Sequence, residues 1–161
     1  MIPVLPDRQS WMSMIGLFIV NFGVIDYLVF DFLEAHLSPE QFAKIKDEPF
    51  KKRIIRIKRY VLQSNCSVAT RERFDKFFAR LDPMRDLRNH IAHSHLLTRL
   101  DDDGKNPVLT LSLPKNLDAA YSPDSRHLGA HELQRELDGL TELIAEFKLL
   151  SELFTATKET S

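Results

Sequence analysis

Cysteine is almost absent from this chain. Cys66 is the only one among 161 residues, so no internal disulfide can form. We therefore expect a reducing, cytoplasmic location, and nothing next to Cys66 in the sequence predicts a reactive thiol. The chain is long enough to bury a core without a disulfide or a metal, and we expect a single domain over residues 1–161.

Glycine is also scarce, and its distribution excludes several kinds of site. The five glycines form no phosphate-binding loop, and neither a Walker nor a Rossmann pattern is present. The acidic run at residues 101–104 is followed at 105–107 by residues that lack the spaced oxygen ligands of a calcium loop. Asp103-Gly104 predicts a hairpin turn instead.

The overall charge is nearly zero, but basic residues are concentrated in one segment. The whole chain has 22 basic and 23 acidic side chains, which gives no indication of a nucleic-acid partner. Residues 44–60 contain eight lysines and arginines against two acids, on an amphipathic helical pattern. Such a helix is either a solvated charged face or a surface for RNA. The candidates for weak, sequence-independent RNA contacts are Lys51, Lys52, Arg56 and Arg59.

A long apolar segment near the N-terminus predicts a first helix over residues 10–37. The strongly polar residues inside its apolar stretch are Asn21, Asp26 and Asp31. Each charge near the centre of a bilayer costs about 3 kcal/mol, so we expect a central bundle helix and no membrane contact. Gly16 and Gly23, two turns apart, predict close approach of another helix, either in the core or at a subunit interface. The start of the chain lacks the basic segment and cleavage site of a secretory signal.

Capping and breaking residues divide the rest of the chain. Ser38-Pro39-Glu40 predicts a second helix, and Pro49 ends or restarts it. A third helical region begins near Val68, and Asp82-Pro83 predicts a kink or a new helix that continues to about residue 97.

A small hairpin and a last helix complete the predicted fold. Residues 98–113 suit two strands, residues 114–129 suit a loop, and residues 130–156 have the apolar spacing of a helix. The sequence therefore predicts an all-α bundle of four or five helices, with a small β-hairpin between the last two long helices.

Residues 87–95 concentrate an arginine, an asparagine and three histidines in one short helical segment. At about 100° per residue, Leu87 and its neighbours one turn away face the core. Arg88, Asn89 and His93 then lie on a second face, on either side of the small Ala92. His90 and His95 fall at the edges of the core sector, where we expect supporting, hydrogen-bonded histidines.

The second face carries groups suited to phosphate chemistry. Metal-free RNA cleavage requires the 2′-hydroxyl to lose a proton while the leaving oxygen gains one, and histidine serves either transfer near neutral pH. Arginine remains cationic and binds phosphate oxygens through its planar fork. Asparagine can hold the imidazole or the phosphate in position. Two such faces related by a two-fold axis would supply an acid and a base at once.

Arg88-Asn89-x-x-x-His93 resembles the Arg-x4-6-His signature of the HEPN superfamily, whose members are small helical bundles. The resemblance implies a metal-independent endoribonuclease without cofactors, acting on RNA at a homodimer cleft. It also implies a role as a toxin or in phage defence, with a possible antitoxin partner. Arg85 with His90, and Arg88 with His95, also fit the spacing. We prefer Arg88 with His93 because Asn89 matches the polar residue often found after the arginine.

Two other readings remain open from the residues. A HEPN-like protein can bind RNA, nucleotides or protein partners without cleaving, in which case Arg88, Asn89 and His93 would cross-link helices at an interface. The second reading is a zinc or iron site, in which His127 and His131 would join the motif histidines. The motif histidines are too widely spread around a straight helix for one ion, so we expect no metal.

Overall fold

A computed structural model describes residues 8–93, 95–100, 107–112 and 126–159 of the chain. These residues form five helices and three strands, in the order four helices, three strands and one helix. The helices are α1 (Arg8–His36), α2 (Pro39–Ala43), α3 (Phe50–Gln63), α4 (Val68–His93) and α5 (Ala130–Glu159). The strands are β1 (His95–Leu100), β2 (Pro107–Ser112) and β3 (Arg126–Gly129). The predicted all-α fold, with a small antiparallel insertion between the last two long helices, is confirmed.

The predicted helix starts near Ser38 and Pro49 are also present. Ser38 Oγ accepts a hydrogen bond from the backbone N–H of Gln41 at 3.3 Å, and the Gln41 side chain accepts one from the Ser38 N–H at 3.1 Å. This reciprocal capping box satisfies two donors that the start of α2 would otherwise leave without partners. Pro49 immediately precedes α3, where its missing N–H costs nothing.

Pro83 does not divide the helix that carries the motif. Of the two outcomes expected at Asp82-Pro83, a kink or a new helix, the new helix is wrong, because α4 is one helix of 26 residues with Pro83 inside it. Proline removes a single backbone hydrogen bond from a helix interior. Leu81 and Met84, on either side of Pro83, are both buried.

The sheet has one strand more than the sequence predicted. β1 and β2 form the expected antiparallel hairpin, with Leu96 opposite Leu111 and Thr98 opposite Leu109. β3 pairs antiparallel with β2 in a region that we had interpreted as a loop, and its Leu128 is fully buried. Short strands of this kind depend on pairing partners more than on local pattern. The predicted turn at residues 103–104 lies outside the described residues.

Two compact units can be distinguished in the chain. One comprises Met1–Asn21 and Pro83–Leu140, and the other comprises Phe22–Asp82 and Thr141–Ser161. We call them the motif unit and the aromatic unit. The motif unit buries Trp11, Ile15, Phe18, Met84, Leu87, Ile91, Leu109, Leu128, Leu133, Leu137 and Leu140. These side chains come from helices and strands alike, so the small sheet contributes to the core of this unit.

Phenylalanine dominates the core of the aromatic unit. Phe32 of α1 lies 5.8 Å from Phe74 of α4 and 5.9 Å from Phe147 of α5, measured between ring centroids. Phe77 and Phe147 are 5.0 Å apart, and Phe154 lies 5.4 Å from Phe32. Edge-to-face and tilted pairs at these distances add to the stabilisation from burial alone.

Within the described residues, α1 is the single helix long and apolar enough to cross a membrane, with a mean hydropathy of 1.9 in its most apolar window. A mostly buried core helix of a soluble protein and a signal sequence near an N-terminus pass the same test, and 28% of this window is buried. Asp26, one of the polar residues in this helix, pairs with Arg53 of α3, with Arg53 Nη2 at 2.6 Å from Asp26 Oδ1. This ion pair belongs to a helix packed against other helices.

Candidate functional site

The motif occupies the last two turns of α4, and its residues divide between two faces. Leu87 and Ile91 are buried, at 0% and 5% exposure. Arg88 is half-buried, whereas Asn89 and His93 are exposed. The helical spacing therefore places these three polar side chains on the side of α4 that does not face the core.

A close approach of α5 fixes the position of α4 just before the motif. Gly139 of α5 faces Met84 of α4 so closely that a Cβ atom built on Gly139 would lie 2.8 Å from Met84 Cε. Met84 is buried, at 8% exposure. Because α4 is buried on this side, the motif residues are held on a supported helical segment.

The side chains of the candidate residues Arg88 and Asn89 contact one another. Arg88 Nη1 donates a hydrogen bond to Asn89 Oδ1 at 3.3 Å. Among the residues that the structure describes, no carboxylate lies within 4 Å of the Arg88 guanidinium. Within the described part of the chain, no ion pair compensates the positive charge of Arg88, and the Asn89 amide oxygen accepts a hydrogen bond from one side of its fork.

The competing pair, Arg85 and His90, is engaged with Asp86. Arg85 Nη2 lies 3.0 Å from Asp86 Oδ1, and Arg85 Nε donates to the same oxygen at 3.3 Å. His90 Nδ1 lies 2.8 Å from the backbone carbonyl oxygen of Asp86, so this nitrogen is the donor. Arg85 therefore has a carboxylate partner that Arg88 lacks among the described residues, and His90 has the hydrogen bond that the sequence predicted for it.

His93 and His95 lie in different kinds of secondary structure. His93 is the last residue of α4, and in the described part of the chain its imidazole has no hydrogen-bond partner. His95 begins β1 and is paired in register with Ser112. Our placement of His95 on the core edge of the motif helix is therefore wrong. The helix ends at His93 because the backbone from His95 onward pairs with β2.

The basic candidates on α3 lie in the aromatic unit, and they differ in exposure and in whether an acidic side chain binds them. Lys51 and Lys52 are exposed. Arg56 is bound by Glu48, with two contacts of 2.7 and 3.2 Å. This bidentate hydrogen bond lowers the pKa of the Glu48 carboxyl and raises that of the Arg56 guanidinium. Arg59 is exposed and lines a cleft that the sequence did not indicate.

No group of three or more histidine, cysteine or acidic side chains within the described ranges is arranged to hold a metal ion. His127 lies on β3 and His131 in the first turn of α5, and both are exposed. Of the sequence-based candidates, Arg88, Asn89 and His93 all lie in the last two turns of α4, and a hydrogen bond joins the first two.

Sequence reasoning missed two features of this molecule. The engagement of Arg85 by the adjacent Asp86 could have been anticipated from their charges, since the two residues are neighbours in the chain. The cleft beside Arg59 could not, because its walls come from segments far apart in sequence.

Comparison with known proteins gives no independent assignment. No family model, no curated protein and no solved structure matches the chain significantly. The motif and its surroundings are therefore the basis for a functional hypothesis.

Proposed function

We propose that this chain is a metal-independent endoribonuclease of the HEPN type, acting as a homodimer. The proposal depends on the exposure and the contacts of the three motif side chains. Asn89 and His93 are exposed, and Arg88 has no acidic partner among the described residues. By contrast, the alternative pair Arg85 and His90 is held by Asp86.

Each motif residue has a defined role in this reaction. His93 removes the proton from the ribose 2′-hydroxyl, whose oxygen attacks the adjacent phosphorus. Arg88 stabilises the negative charge that develops on the non-bridging phosphate oxygens. Asn89 holds the Arg88 fork through the hydrogen bond of 3.3 Å. The bond to the 5′-oxygen breaks, that oxygen is protonated, and the products carry a 2′,3′-cyclic phosphate and a 5′-hydroxyl.

The dimer follows from the number of proton transfers. One motif supplies one exposed histidine, whereas the reaction needs a base for the 2′-hydroxyl and an acid for the leaving oxygen. A two-fold axis that apposes two motifs supplies both, with two arginines for the phosphate. The roles in a toxin system or in phage defence, and a neutralising antitoxin partner, belong to the same proposal through the HEPN resemblance.

The test is cleavage of a fluorescent single-stranded RNA by the purified full chain in the presence of EDTA. We expect wild-type protein to release fragments with 2′,3′-cyclic phosphate ends, and a 2′-O-methyl RNA to resist cleavage. His93→Ala and Arg88→Gln should each lower the rate at least about 100-fold. Asn89→Ala should cause a smaller loss, because this residue acts through Arg88.

Two substitutions elsewhere in the motif unit serve as matched controls. His131→Ala removes another exposed histidine, and Arg135→Gln removes another exposed arginine, both from α5. We expect both to cleave at the wild-type rate. Full activity of a folded His93→Ala protein would refute the assignment. Wild-type protein that binds RNA without cleaving it would favour the non-catalytic binding module instead.

A further inference from the structure

A cleft of about 700 Å³ opens within the aromatic unit, remote in sequence from the motif. Its walls come from α2 and the turn that follows it, from the second half of α3, and from the last turns of α5. A volume of this size is typical of sites that bury a small organic molecule.

The charge of the lining is of one sign. Three cationic side chains line the cleft, Lys44, Arg56 and Arg59, and no lining residue in the described chain is acidic. Glu48 offsets the charge of Arg56 through a 2.7 Å ion pair. Lys44 and Arg59 have no acidic partner within 4 Å among the described residues, so two positive charges remain for a ligand.

Aromatic and aliphatic side chains line the cleft beside these cations. Tyr60 is half-buried and lines the cleft. The fully buried Phe154 supports its ring from behind, with the two centroids 5.9 Å apart and the planes at 52°. Leu37 and Ile45 add aliphatic surface. An aromatic ring in this position gains both apolar burial and contact with ring faces or edges.

The wall at the end of α3 is held rigidly by hydrogen bonds. Ser64 Oγ donates to the Val61 carbonyl oxygen at 2.7 Å, and Arg71 Nη2 donates to the Ser64 carbonyl oxygen at 2.8 Å. The Cys66 thiol contacts the same Val61 oxygen at 3.5 Å. A wall fixed in this way does not have to be ordered when a ligand binds, which lowers the cost of binding.

We propose that this cleft binds a small aromatic anion, a ring system bearing a phosphate, sulfonate or carboxylate group. The ring lies against the half-buried Tyr60, and the anionic group lies between Lys44 and Arg59. This site is independent of the proposed nuclease motif, because every residue that lines it belongs to the aromatic unit.

The test uses two fluorescent probes that differ in one charged group. 8-Anilinonaphthalene-1-sulfonate has the aromatic body and an anion, and N-phenyl-1-naphthylamine has the same body without the anion. We expect Lys44→Gln and Arg59→Gln each to weaken binding of the sulfonate about fivefold, and the double variant about twentyfold. Binding of the neutral probe should remain within about twofold of wild type.

Matched controls remove the same charges from a nearby surface. Lys76→Gln and Arg73→Gln alter exposed residues of α4 that do not line the cleft, so the affinity for the sulfonate should not change. Circular dichroism melting of all variants checks that the fold is retained.

Competition defines the ligand class further. 1-Naphthyl phosphate should displace the sulfonate probe at lower concentration than either neutral 1-naphthol or aliphatic decanoate. Equal sulfonate affinity in wild type and in the folded double variant would overturn the proposal, since the probe would then bind another apolar surface. Stronger displacement by decanoate would overturn the aromatic assignment.

Discussion

The ion pair between Asp26 of α1 and Arg53 of α3 allows a quantitative prediction about the stability of the aromatic unit. Arg53 Nη2 lies 2.6 Å from Asp26 Oδ1, and the two side chains are 13% and 39% exposed, respectively. Two unit charges about 4 Å apart attract by about 4 kcal/mol under the screening typical of a protein surface. The partial exposure of Asp26 reduces this value, so we expect a coupling free energy of about 1–2 kcal/mol.

The measurement is a double-mutant cycle on the free energy of unfolding in urea. Asp26→Ala leaves Arg53 nearly buried without its carboxylate and should cost about 2–3 kcal/mol. Arg53→Met should cost less, because Asp26 is partly exposed to water. In wild type the Arg53 guanidinium lies 5.8 Å from the centre of the Phe30 ring, and a methionine would keep apolar contact with this ring. The double variant should lose less than the sum of the two single losses, by the coupling energy.

A second carboxylate on the same helix provides the control. Asp31 is exposed and has no partner among the described residues, so Asp31→Ala should change the free energy of unfolding by less than about 0.5 kcal/mol. A coupling energy indistinguishable from zero, or equal effects of Asp26→Ala and Asp31→Ala, would refute the reasoning from the ion pair.

Three further predictions concern α5, the Glu48 ion pair and the exposed face of α1. Gly139→Ala should raise the stability by up to about 1 kcal/mol through helix propensity, because the atom that the new Cβ meets at 2.8 Å, Met84 Cε, is the end of a flexible side chain that can move. Thermal melting measures the change, and a melting temperature below that of wild type would contradict this. Arg56 lowers the pKa of Glu48, so the pair stabilises the fold above the ordinary glutamate pKa and this stabilisation is lost as the pH falls through the lowered value. Acid titration of Glu48→Gln should therefore show a smaller loss of stability on acidification than wild type, and an unchanged loss would contradict this. Val20 is 63% exposed and lies between Gly16 and Gly23, where a Cβ atom would meet nothing within 4 Å. If the proposed dimer uses this face of α1, Val20→Glu should weaken self-association measured by light scattering, and an unchanged mass would refute the use of this face.

Local sequence signals were sufficient to predict where most of the helices lie. The capping residues at Ser38 and the break at Pro49 predicted the starts of α2 and α3 correctly. Apolar spacing likewise predicted which side of the motif helix is buried, with Leu87 and Ile91 inside and His93 outside. These signals are reliable because they act within one or two turns of a helix.

The same local reasoning was wrong where segments distant in sequence pair with one another. The motif helix was expected to continue to about residue 97, but it ends at His93 because residues 95–100 pair with residues 107–112. A new helix at Pro83 was one of the two outcomes expected there, yet α4 continues through this residue. Strand β3 was missed for the same reason, since its pairing with β2 joins segments separated along the chain.

For the candidate site, the sequence supplied the residue types, their spacing and the helical face on which Arg88, Asn89 and His93 lie. The folded chain supplied what that spacing could not: the engagement of Arg85 and His90 by Asp86, the transfer of His95 to a strand, and the cleft in the aromatic unit. Periodicity records which side of a helix is buried, because burial repeats with each turn. Side-chain rotamers, strand pairing and cavities depend on contacts between atoms whose positions are set only when the whole chain has packed.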